Sequence, residues 1–296
     1  MAEPQASPPE FGPYRKLQGA TEAELRRILE ATAKAIQRRI ASLPVGVGGQ
    51  VRAAQLRVTL AAIHGLLTAM WVGRINPLVE RAIRDSLKAS EDAIETLERV
   101  AYAALSDAAA ETLVRGLRAA GASGLKSDAA RRARALSSRV YRQRALDDGR
   151  VVQIIRQGLI SGLSAKELAD EVYKYVSPKA PGGASYAAMR LARTEINNAF
   201  HERQVEGAKR PGVKAVKWNL SGSHKVPDLC NVYARHGGDG EWPPDDVPDK
   251  PHPNCFCYLT YVMMSPAEFK HKLERGDFDD EIDRRTRANL ARLGKG

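Results

Sequence analysis

Apolar residues recur at every third or fourth position through most of the stretch from Thr21 to Val176, a spacing that constrains the chain to a mainly α fold. Thr21-Glu22-Ala23-Glu24 reads as a capping box, with Leu25, Ile28, Leu29, Ala33, Ile36 and Ile40 as the apolar stripe behind it. Pro44 and Gly46-Val47-Gly48-Gly49 end that helix. A second helix is expected from about Val51 to Arg74. Asn76 then offers an N-cap and Pro77 a first-turn proline for a third, running from Leu78 to about Arg118. A bend is expected at Gly121–Gly124, further helix to Leu146, a turn at Asp147-Asp148-Gly149 and a short helix at Val151–Leu159. Ser164-Ala165-Lys166-Glu167 is a second capping box, opening a helix to about Val176.

The composition changes at Ser177-Pro178-Lys179-Ala180-Pro181-Gly182-Gly183, the expected domain boundary. A helix over Ser185–Lys209 follows. Next come an alternating strand at Val213–Leu220, a long Gly-, Pro- and Asp-rich loop, and a second strand at Phe256–Val262. Ser265-Pro266-Ala267-Glu268 starts a short helix, and the charged tail suggests a last one. The fold class is thus mainly α with a C-terminal α+β module: an elongated helical N-terminal part, then a small sheet and a loop pinned by Cys and His. The expected organisation is a flexible arm over 1–20, a helical domain over 21–176, an α+β domain over 185–264 and a helical tail over 265–296.

Three cysteines in 296 residues do not make a disulfide-stapled secreted scaffold. The longest apolar run, Leu60–Val72, contains His64 and stops at Arg74, short of the roughly 18 residues of a membrane helix. The start of the chain lacks the basic-then-apolar pattern of a signal peptide, so a reducing cytosol is the expected compartment. No P-loop, dinucleotide-binding glycine motif or nucleophile elbow is present, and the His-x-Glu with Pro-Cys-x-x-Cys pattern of zinc deaminases is missing. The chain is therefore expected not to be an enzyme. A zinc-dependent or ADP-ribosyl-transferring activity is the remote alternative.

The formal net charge of +11 belongs mostly to the first part: Arg115–Arg156 alone holds 11 basic residues against Asp128, Asp147 and Asp148. Arg131, Arg132, Arg134, Arg139 and Arg142 are candidate contacts to the phosphates of nucleic acid. A solvated helix face, or a face for an acidic protein partner, explains the same pattern.

All three cysteines, Cys230, Cys255 and Cys257, fall within 28 positions, with His224, His236, His252 and His271 in or near that window. Thiolates and imidazoles are the usual zinc ligands, and four close a structural site. Cys230, His252, Cys255 and Cys257 are the expected set, with His224 and Asp228 as alternates for His252. A metal would keep so long and polar a loop ordered. A disulfide from Cys230, or simple packing of small buried thiols, remains open.

The segments Leu191-Ala192-Arg193-Thr194-Glu195-Ile196, Lys217-Trp218, Ser221 through Cys230 and His252-Pro253-Asn254-Cys255-Phe256-Cys257 together resemble the phage minor head, or head morphogenesis, proteins of the Mu F-like family. The resemblance spans Ala187 to Val262, about a quarter of the chain. It implies a virion protein in the capsid interior near the portal vertex, assembled in the host cytoplasm. Its implied partners are the portal protein and, in some members, packaged double-stranded DNA, scaffold or major capsid protein. In that setting the helical part would dock on the portal. The family's Cys-x2-Cys is not matched, because Tyr233 stands three positions after Cys230, and this leaves the fourth ligand open. Arg193, Thr194, Glu195 and Trp218 are read as a structural motif, Arg193 pairing with a carboxylate or carbonyl to pin its helix to the cysteine loop.

Overall fold

The computed structural model describes residues 11–43, 53–102 and 108–280, together with 283 and 287. Its elements in chain order are α1 (Gly12–Ala41), α2 (Ala53–Thr68), a π-helical turn (Ala69–Ile75), α3 (Asn76–Tyr102), α4 (Ala108–Ile160), α5 (Ala165–Val176), α6 (Gly183–Ala208), β1 (Val213–Asn219), α7 (Leu229–Tyr233), a 3-10 turn (His236–Gly238), β2 (Glu241–Trp242), β3 (Tyr258–Met263) and α8 (Pro266–Glu274). The protein is mainly α with one small antiparallel sheet near the C-terminus.

Several boundaries differ from expectation, each for a physical reason. Helix α1 begins at Gly12, and Thr21 is a buried position inside it. The arm expected over 1–20 is therefore helical from Gly12. Tyr14 stacks on Phe200 with ring centres 4.1 Å apart, and Phe11 sits 5.4 Å from the same ring, so tertiary packing extends the helix. The proposed arm before Phe11, the Pro44–Gly49 break and most of the charged tail lie outside the described residues. Pro77 starts no new helix: α2, the π turn and α3 follow one another directly. Proline lacks the N–H that closes a helical turn, and the ladder shifts just before it, Asn76 N–H bonding to the Trp71 carbonyl five residues back. The Asn76 side chain donates to Glu80 at 2.7 Å instead of capping.

Helix α4 runs through both the bend expected at Gly121–Gly124 and the turn expected at Asp147-Asp148-Gly149. An interior glycine costs a helix only about 1 kcal/mol, too little by itself to end one. Asp147 does not turn the chain because its carboxylate is fully engaged, accepting from Trp71 Nε1 at 2.8 Å, Tyr175 Oη at 2.8 Å and Gln143 Nε2 at 3.1 Å. The two capping signals at Ser164 and Ser265 do start α5 and α8, their hydroxyls accepting from the Glu167 and Glu268 amides. The helix Ala54–Thr96 contains one window apolar enough, by length and composition alone, to cross a membrane, and about a third of that window is buried within the protein.

The chain divides into two compact units, both discontinuous in sequence: 1–17, 83–131 and 196–296 form one, 18–82 and 132–195 the other. The boundary expected at Ser177–Gly183 lies inside the second unit, where it joins α5 to α6. The reason is the length of the helices. Helix α6 buries Ala184, Ala188 and Ala192 in the second unit and Phe200 and Ala208 in the first. Gly183 has φ 63°, and a Cβ there would strike the Tyr175 carbonyl, so only glycine fits this corner.

In the second unit, α1 and α5 are tied by Gln37 donating to Asp170 at 2.8 Å and by Tyr173 and Ser177 hydroxyls donating to Glu30 at 3.0 Å. Burial pushes the Asp147 carboxyl above its ordinary value of 3.8, against the hydrogen bonds from Tyr175, Trp71 and Gln143. The folded state thus binds this proton more tightly than the unfolded chain, and stability falls as pH climbs from 3.8 through the raised folded value. Asp147→Asn is expected to flatten that slope in denaturant melts taken across the range. Asp147→Ala leaves the buried Trp71 N–H without an acceptor and should cost about 2–4 kcal/mol near neutrality. An unchanged slope in the first variant would show that Asp147 ionises as easily folded as unfolded.

In the first unit the sheet order is β2-β1-β3, with Trp218 paired to Leu259 and Val216 to Tyr261 across β1 and β3. The Ile196–Ala208 half of α6 covers it: Gln204 Nε2 donates to the Leu259 carbonyl at 3.1 Å, and Tyr261 Oη donates to the Gln204 carbonyl at 2.6 Å. On α3, Glu91 is buried between Arg203 and Arg210, its carboxylate receiving Arg203 Nε at 2.7 Å and the Arg210 guanidinium.

Candidate metal centre

The loop between β1 and β3 is more ordered than its composition suggests. Asp228 caps the short α7 by accepting from the Cys230 amide at 2.7 Å, and Asn231 completes the box by accepting from the Asp228 amide at 2.9 Å. Cys230 is thereby set on the first turn of α7, wholly buried. Asn254 takes φ 59°, a left-handed conformation that asparagine tolerates, and turns the chain into Cys255 and Cys257. Both cysteines are buried and Phe256 between them is half-buried, the alternation expected of a strand. The β3 ladder begins only at Tyr258, one residue after Cys257.

Cys230 Sγ lies 3.5 Å from Cys255 Sγ and 3.5 Å from His252 Nε2, and Cys257 Sγ lies 3.8 Å from His224 Nδ1. Two sulfurs on one tetrahedral zinc ion, each about 2.3 Å from it, are about 3.8 Å apart. The donors form two overlapping groups, His224–Cys230–Cys257 and Cys230–His252–Cys255, with Cys230 common to both. These residues cluster within metal-binding distance, and their donor set is that of a soft or borderline cation. All three are free thiols, with Cys230 and Cys255 well beyond the roughly 2.0 Å of a disulfide bond. They titrate as a set. Hydrogen bonds from Cys230 and Cys257, and the Lys250 charge, pull the Cys255 thiol down, whereas hydrogen bonding to Cys255 and burial push Cys230 up.

The two imidazoles differ. His224, with 9% of its side chain exposed, places Nε2 at 2.8 Å from Asn231 Oδ1. That oxygen also accepts from a backbone amide, which fixes the amide's orientation. Nε2 is then the protonated nitrogen, and Nδ1 presents its lone pair toward Cys257. His252 is 36% exposed and has oxygen acceptors at both nitrogens, the Pro253 carbonyl at 2.9 Å and Asp228 Oδ2 at 3.0 Å. Asp228 itself is occupied as the α7 cap. His236 stacks on Trp242 with ring centres 3.7 Å apart, outside both groups.

Beneath the cluster, Trp218 meets His201 and Tyr233 edge-on at 5.4 and 5.1 Å. Tyr233, three positions after Cys230, is part of an aromatic floor that also includes Trp242. His201 Nε2 donates to the Pro248 carbonyl at 2.9 Å, and burial, with the nearby Lys250 charge, brings its pKa down to about 3. The Asp228–Asn231 box has a sequence signal, an Asp at the N-cap with an amide side chain three residues later. The sequence offers none for Lys250, whose ammonium donates to the carbonyls of Cys255 and Cys257.

The Arg193-Thr194-Glu195 triplet belongs to the second unit and makes its bonds there. Arg193 forms a two-pronged pair with Glu22 of α1, both contacts 2.7 Å, so the expectation that it pins α6 to the cysteine loop is corrected. Thr194 donates to the Arg190 carbonyl, and Glu195 is buried against Arg139 with Arg132 at 4.0 Å. Of the five candidate phosphate contacts, Arg132 is buried, Arg139 is committed to Glu195 and Arg131 to Glu202 at 2.9 Å. Arg134 and Arg142 are exposed and have no ion pair among the described residues. Arg131 falls in the first unit and the other four in the second.

The fold and site together define a mainly helical protein in which the segment between two strands of its small sheet carries a cluster of three cysteines and two histidines. No protein-family model, curated protein or solved structure matches the chain.

Proposed function

We propose that this chain is a minor capsid (head morphogenesis) protein of a tailed phage, binding the portal inside the procapsid and assisting head assembly, DNA packaging or ejection. The observation that carries the reading is the meeting, in one unit, of most of the segments on which the family resemblance rests. Trp218, the His224–Cys230 segment and His252–Cys257 surround one thiol cluster in that unit. In this reading the protein is an adaptor without turnover chemistry. Co-expression with the portal protein of the same phage should yield a complex that survives gel filtration. Separate elution of the two folded proteins would end the proposal. Sequence-nonspecific DNA binding is the weaker reading, because three of its five arginines already hold carboxylates or are buried.

The cluster in this reading holds one structural zinc ion through Cys230, Cys255, Cys257 and His224. His224 is favoured over His252 because it is the more buried and its free nitrogen is already aimed at Cys257, whereas His252 would have to surrender Asp228. Elemental analysis of protein purified under reducing conditions should find about one zinc per chain.

A further inference from the structure

We propose that Lys250 is the counter-cation of the thiolate cluster, and that it governs how tightly and how inertly the metal is held. The inference rests on the zinc reading above. A zinc ion with three thiolates and one neutral imidazole carries one net negative charge, which a buried site must offset. Lys250 lies against the backbone of two of the proposed ligands. Its Nζ donates to the Cys255 carbonyl at 3.4 Å and to the Cys257 carbonyl, and it lies 5.8 Å from the centre of the Trp218 ring. Among the described residues no carboxylate pairs with it, although Asp245, Asp246 and Asp249 are close in sequence.

The position is built rather than incidental. The Pro248 carbonyl is held by His201, and Lys250 follows two residues later, ahead of Pro251. Pro251 and Pro253 restrict the backbone between the lysine and the first cysteine. The ammonium thus performs two tasks. It ties together the carbonyls on either side of Phe256, fixing the spacing of the two thiolates. It also draws electron density from those thiolates, making them less reactive toward electrophiles while metal-bound. Lys250 is a positioning residue, acting through the ligands without touching the metal.

The test uses the full chain loaded with zinc, comparing wild type with Lys250→Met and Lys250→Arg. Zinc affinity is read by competition with a chromogenic chelator, and thiolate reactivity by the rate of iodoacetamide alkylation of the metal-loaded protein. Lys250→Met, which keeps the side-chain length and loses the charge, should weaken zinc binding about 10–100-fold. It should also alkylate faster. Lys250→Arg should restore both toward wild type. If Lys250→Met holds zinc as tightly as wild type and alkylates at the same rate, the lysine has no such role and the zinc reading stands. If wild type binds no zinc, both fail together. Should Lys250→Met not fold even with zinc supplied, Lys250→Arg decides: it must fold and hold zinc like wild type, and weak binding there overturns the charge role.

Discussion

Cys230→Ser is expected to abolish the proposed zinc binding and to melt far below wild type. Its sulfur belongs to both donor groups, so no rearrangement among the remaining four donors recreates a three-thiolate site. Structural zinc centres carry an apparent binding free energy of about 10–16 kcal/mol at neutral pH. The loop that Cys230 anchors has few apolar residues to replace that stabilisation: Val226, Leu229 and Val232 are all more than half exposed. Since each kcal/mol moves the melting point of a domain of this size by about 2–4 °C, a drop of at least about 10 °C is expected. Wild type stripped by a chelator should melt with the variant. His224→Ala should follow Cys230→Ser closely, and His252→Ala should retain most of the metal. A Cys230→Ser protein that melts with wild type would mean that the thiols only pack.

Glu91→Gln should destabilise the protein by about 3–5 kcal/mol, the cost of stranding buried cations. Glu91 is 3% exposed, Arg203 6% and Arg210 4%, so little water reaches the two guanidinium groups to replace the lost charge. The triad joins α3, α6 and the turn into β1, the frame that carries the sheet and hence the thiol cluster. Urea melts at neutral pH measure the effect directly. Replacing all three residues with apolar ones of similar volume should recover much of the loss, since removing one partner of a buried ion pair costs more than replacing the whole group. A Glu91→Gln variant within about 1 kcal/mol of wild type would show that water or another group neutralises the arginines.

Much of the local structure was legible because local chemistry decides it. Ser164-x-x-Glu167 and Ser265-Pro266 start helices, since hydroxyls adjacent to helical sequence satisfy first-turn amides wherever they occur. The alternation in Val213–Asn219 produced a strand, and the three cysteines met two histidines because one loop carries them all. Thr21, Asn76 and Gly149 misled for the opposite reason. Their propensities are worth about 1 kcal/mol each, and ring packing at Phe200, a π turn before Pro77 and the bonds to Asp147 outweigh them.

By itself, then, the sequence determined the helical class, the small C-terminal sheet and the gathering of thiols and imidazoles. Each of these depends on residues within a few tens of positions of one another. Only the tertiary structure decided that the chain forms two units, each discontinuous in sequence, that Arg193 serves Glu22, that Arg132 and Arg139 face Glu195, and that Lys250 lies beside the cysteines. Those choices pair charges on segments far apart in the chain, at sites from which water is partly or wholly excluded. A cation's partner is whichever acceptor the fold leaves beside it once water is gone, and no local pattern encodes that.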